Sequence, residues 1–114
     1  MRTRALMLLS ALAAASAAAD DSSSEETRAI HSAVPVDSSF DGAPPTLAHL
    51  GFTCSMSSGE FTDEQGEARN ADEFLLCAKE SPYMLLCSRH TNVIVLAQAH
   101  NVREVFVTGG LLCP

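Results

Sequence analysis

Lysine occurs once in this chain, at Lys79, and all basic side chains together number 7 against 14 acidic ones, a formal net charge of −7. A chain of that sign repels phosphate backbones, which argues against nucleic-acid binding. Long apolar runs are also missing after the N-terminal leader, so no segment there has the roughly 20 apolar residues that a membrane-spanning helix needs. No CxxC pair is present, and a zinc site is poorly supported. No Asn-x-Ser/Thr sequon follows the leader, so glycosylation says nothing about compartment.

What is present begins with that leader, residues 1–19. Arg2 and Arg4 give a positive start, Ala5 to Leu12 a short apolar run, and Ala17-Ala18-Ala19 the small residues of a cleavage site. This is the pattern of a secretory signal, with the mature chain starting near Asp20. The alternatives are an organelle transit peptide, or a mis-started reading frame in an organelle or cytoplasmic protein. After cleavage about 95 residues remain, enough for one modest core.

Four cysteines follow: Cys54, Cys77, Cys87 and Cys113. In an exported chain they imply two disulfides with three pairings open. Apolar neighbours beside Cys54, Cys77 and Cys87 favour the blander reading, buried free thiols.

Residues 20–50 read as an acidic, Ser- and Pro-rich linker, with one helical turn at Thr46 to Leu50 stopped by Gly51. Residues 51–114 hold the denser structure. Phe52 to Met56 predicts a short strand and Ser57 to Asn70 a loop. A helix is expected through Glu73 to Lys79. A second runs from Ser81-Pro82 to His100, although the β-branched Val93-Ile94-Val95 also suits a strand. Arg103 to Thr108 then predicts a strand with an apolar middle, the kind buried on both faces in a parallel sheet. The expectation is an α/β fragment: one or two helices, then a buried-type strand, which needs a missing lobe or a dimer partner to complete its sheet.

Candidate chemistry is sparse. Cys87 and His90 stand at nucleophile-and-base spacing, but without an orienting third group. Ser57-Ser58-Gly59 is a small-residue turn able to offer backbone N–H groups to a phosphate. Gly109-Gly110 follows the predicted strand, where ligands bind in open α/β sheets. His31 and His49 lack clustered partners. Lys79 and the acids Asp63-Glu64 and Asp72-Glu73 are expected to face solvent.

His100-Asn101-Val102-Arg103-Glu104-Val105-Phe106-Val107-Thr108-Gly109-Gly110 resembles the C-terminal region of eukaryotic-type pantothenate kinases: a helix end, a turn, a strand and a glycine. Upstream, Gly51-Phe52 and Ser57-Ser58-Gly59 look like that family's small-residue loop. The resemblance implies a nucleotide or small-molecule ligand, with ATP and Mg²⁺ as cofactors and Ser57, Ser58, Gly59, Gly109 and Gly110 around it. It also implies a truncated relative without the catalytic lobe, inactive alone. The family's paired asparagines and glycine are replaced by Cys87, Ser88 and His90. Thr91-Asn92-Val93 through Gly109 also looks like the helix and strand before the catalytic cysteine of isochorismatase-like hydrolases, here with Cys113 displaced. The remaining reading is a small exported, disulfide-stapled binding protein. Free thiols are expected of the kinase relative, and two disulfides of the stapled protein.

Overall fold

The computed structural model describes residues 21–114, with side chains from Ser24 onward. The leader predicted at Met1 to Ala19 lies outside the described residues. In chain order the elements are helix α1 (Asp21–Ala33), a 3-10 turn (Phe40–Gly42), helix α2 (Ala43–His49) and strands β1 (Thr53–Thr62), β2 (Ala68–Tyr83), β3 (Cys87–Gln98) and β4 (Asn101–Leu112). The strands form one antiparallel sheet in the order β1-β2-β3-β4.

The α/β expectation is therefore overturned: the chain is mostly β, and its sheet is a meander of hairpins. Both long helices expected from Glu73 to His100 are strands β2 and β3. The β-branched and apolar run through Val93 to Leu96 decides this, because every residue of it is buried. A strand sends alternate residues to opposite faces. Val93 and Val95 enter one apolar cluster, and Ile94 and Leu96 the other. The predicted strand at Arg103 to Thr108 exists within β4, but its neighbour is antiparallel. Where a helix was expected to run to His100, the chain turns: Ala99 and His100 both take positive φ (54° and 73°), as a two-residue hairpin turn of type I′ requires.

The first cluster lies between the sheet and the helices. Ile30 and Val34, one helical turn apart, pack with Leu47, Phe52, Leu75, Cys77, Val93, Val95, Val102 and Val105. The stretch 20–50, read as linker, is thus folded from residue 21 and covers a sheet face. Its helix α1 is polar over most of its length, and tertiary packing of the few apolar residues is what holds such a helix. In α2 the proline pair sits in the first turn, where missing N–H groups cost nothing, and Gly51 (φ 97°) ends it as expected.

The second cluster needs no helix. Phe61 of β1 lies 4.9 Å from Phe74 and 5.8 Å from Phe106 of β4, centroid to centroid. In a flat sheet β1 and β4 would stand about 14 Å apart, three strand spacings. The sheet therefore curls until its first and last strands share an aromatic contact. A bulge helps: pairing advances from Ser57 to Gly59 on β1 while it moves from Phe74 to Ala71 on β2. The extra residue on β2 turns Ala71 and Arg69 onto the side of Phe61 and sharpens the bend. Arg69 then lies over the Phe106 ring at 5.0 Å and pairs with Glu104 at 3.3 Å and Asp63 at 3.6 Å.

The β1–β2 connection is also built, not loose. Buried Asp63 accepts hydrogen bonds from the backbone N–H of Gln65 and Glu67, each at 2.9 Å, while Gly66 takes φ 83°. Next to it, Glu64 Oε2 accepts from the Val107 N–H on β4 (2.9 Å) and from His31 on α1 (2.7 Å). The Glu67 N–H, aided by that of Gln65 and by Arg69, outweighs burial and holds the Asp63 carboxyl below its ordinary value. A depressed folded-state pKa stabilises above the unfolded value and loses that contribution as pH falls through the folded one. Asp63→Asn is therefore expected to lower the urea midpoint at about pH 7 and to match wild type more closely at about pH 2. An equal gap at both pH values would show that the charge contributes nothing.

Candidate functional site

The β2–β3 hairpin ends in Met84-Leu85-Leu86, where Met84 takes φ 59°. These three side chains are 79%, 97% and 75% exposed, whereas most other large apolar groups among the described residues are buried. Leu111 and Leu112 at the end of β4 are exposed as well. Cys87 and Cys113 are bonded to each other and tie the end of β4 to the base of the hairpin. The tripeptide Leu-Leu-Cys ends at Cys77, at Cys87 and at Cys113. The first copy is built into the sheet; the other two meet side by side at the tip. Three consecutive exposed apolar residues are an error in a structural design unless they serve function.

Behind the tip, between α1 and the ends of β3 and β4, lies an open groove of about 430 Å³ lined by Glu26, Tyr83, Arg89, His90, Thr91 and Gly110, among others. Glu26 forms one wall and is occupied: Lys79 Nζ stands 2.6 Å from its Oε2, and the Thr91 hydroxyl donates to Oε1 at 3.2 Å. Lys79, expected in solvent, thus pins α1 to the sheet, and its ammonium also lies 4.7 Å from the centre of the Phe52 ring. Arg89 lies over the Tyr83 ring at 4.9 Å. His90 Nδ1 is buried without a hydrogen-bond partner.

The residues singled out from sequence are not brought together. Ser57, Ser58 and Gly59 lie in β1, and Gly109 and Gly110 in β4, at opposite edges of the sheet. Gly109 stands within the strand, opposite Thr91, and not in a turn beyond it. Its small size serves the fold: a Cβ there would meet the His90 carbonyl oxygen at 2.4 Å. Cys87 is in a disulfide, so it is no partner nucleophile for His90. The buried-thiol reading fails throughout: Cys54 bonds to Cys77, Cys87 to Cys113, and no cysteine is free. Among the described residues no cluster of three or more His, Cys, Asp or Glu is placed to hold a metal ion, and no helix is long and apolar enough to cross a membrane.

The tip residues were hidden in sequence because Tyr83 to His100 reads as one helix, which assigns Met84 to its buried face. The signal available was the repeated Leu-Leu-Cys. Comparison of the chain with protein-family models, with curated proteins and with solved structures finds no match in any of the three.

Proposed function

We propose that this chain is a non-catalytic binding module, disulfide-stapled in the manner of exported domains, which docks through its apolar tip. The observation that carries the reading is the exposure of Met84, Leu85 and Leu86 on a hairpin locked at its base by Cys87–Cys113. Rigid presentation lowers the ordering cost of binding, which favours function for a group that is costly to leave in water. Two disulfides in a domain this small are compatible with a secreted protein. We do not advance the kinase-like and hydrolase-like readings, because the helix on which both resemblances rest is strand β3.

Methionine oxidation tests this without knowledge of the partner. In the purified chain Met84 is expected to oxidise readily under hydroxyl radicals, as exposed methionine does. In native material the same residue should be protected about fivefold or more, while Met56, also exposed, serves as the unprotected reference. Leu85→Asp should abolish the protection. Equal oxidation of Met84 in purified and native protein would overturn the docking reading.

A further inference from the structure

The composition of the tip points to what it meets. From Ser81 to Ser88 and from Thr108 to Pro114 there is no Asp, Glu, Lys or Arg, although these make up 18% of the chain. Protein-binding hot spots are rich in Trp, Tyr and Arg and poor in Leu, and a polar rim sets their register. Here the crown is aliphatic, with Met84, Leu85 and Leu86 at the apex and exposed Leu112 and Leu111 lower down, opposite Ser88 and Arg89. No side chain in that crown can donate a hydrogen bond and only the Met84 thioether accepts one, weakly, so little in it specifies a protein surface.

Below the apex, at the level of Leu111 and Leu112, the chemistry changes. Tyr83 carries Arg89 over its ring, and the Ser88 hydroxyl donates to Glu80 at 2.8 Å. An aliphatic apex above a level that holds Tyr83, Arg89 and the Ser88–Glu80 pair matches the layering of a membrane–water interface. Apolar groups enter the acyl region, a tyrosine ring sits at headgroup level, and an arginine keeps its charge toward phosphate. A second copy is a poorer occupant. A specific interface buries about 800 Å² on each partner, and a hairpin tip of three aliphatic side chains with two more below it offers less.

We infer that the tip inserts peripherally into a zwitterionic lipid bilayer, Met84, Leu85 and Leu86 entering the acyl boundary with Tyr83 and Arg89 at the headgroups. This rests on the docking reading above and names its partner. Insertion of this kind reaches about 5–10 Å and spans nothing. The net charge of −7 sets the lipid preference, since an anionic surface repels an acidic chain.

The chain contains no tryptophan, so Leu85→Trp places one indole at the apex. Phosphatidylcholine vesicles are expected to shift its emission to the blue and to make it quenchable by shallow brominated lipid. Adding phosphatidylserine should weaken the effect, and Leu86→Asp in the same background should weaken it about tenfold or more. Flotation of wild-type protein with the same vesicles is the second measurement, should the variant misfold. Unchanged emission together with no flotation would overturn the inference. So would a blue shift that follows protein concentration without vesicles, since a second copy would then be the occupant. Protection of Met84 in native material with no vesicle binding would overturn the bilayer and leave the docking reading standing.

Discussion

Replacing Cys54 and Cys77 by alanine is expected to lower the stability of the folded chain by about 3 kcal/mol. The two cysteines are 23 residues apart, and closing a loop of that length costs the unfolded chain about this much in the chain-entropy account. Domains of this size are stable by about 5–15 kcal/mol, so one cross-link is a large fraction of the total. The second, with a separation of 26, closes a loop that does not overlap the first, and the two losses should add. Full reduction should therefore unfold the chain or bring it close to unfolding. Cys77 is fully buried in the helix-covered core, whereas Cys113 is exposed. Mild reductant should open Cys87–Cys113 first and leave the sheet folded. Thiol counting by mass spectrometry alongside circular dichroism reads both events. Loss of structure at the first bond opened would show that the tip staple, and not the core one, holds the fold.

Gly109→Val is expected to destabilise by about 3 kcal/mol, and Gly110→Ala hardly at all. The difference between these neighbours is a matter of what a side chain would meet. At Gly109 the first carbon lands 2.4 Å from the His90 carbonyl oxygen, a backbone atom that cannot swing away. At Gly110 the nearest atom is the His90 ring at 3.6 Å, an ordinary contact. The β3–β4 pairing between Thr91 and Gly109 must open to admit the valine. Urea denaturation of both variants measures this. Equal, small losses would mean that the two strands have room to separate there. A ligand site at Gly109 would instead predict lost binding with stability unchanged.

Much of the strand content was visible but misassigned. Val93-Ile94-Val95 carried a β signal that lost to the absence of a turn, because the hairpin bend at Ala99-His100 uses positive φ at an alanine, which seldom adopts it. No Asn-Gly or Asp-Gly marks that bend, so the run appeared to continue as helix. The strand at Val105 to Val107 was legible from its apolar middle. Its parallel context was a wrong inference from burial on both faces. One face is covered by helices and the other by the sheet's own curl around Phe61, a contact between distant strands that no local pattern announces. Helix α1 was missed because Ala29, Ile30 and Ala33 are its few apolar residues in a polar run. The two-disulfide option was stated, and cross-strand pairing selects among its connectivities: Cys54 lies directly opposite Cys77.

Each cross-link joins strands that are consecutive in the chain. Either hairpin can close its own bond without the other, which removes two of four thiols from the competition. The remaining pair then has only each other. Pairing is thereby a local event in each hairpin, and strand register, by setting opposite cysteines face to face, disfavours scrambled isomers.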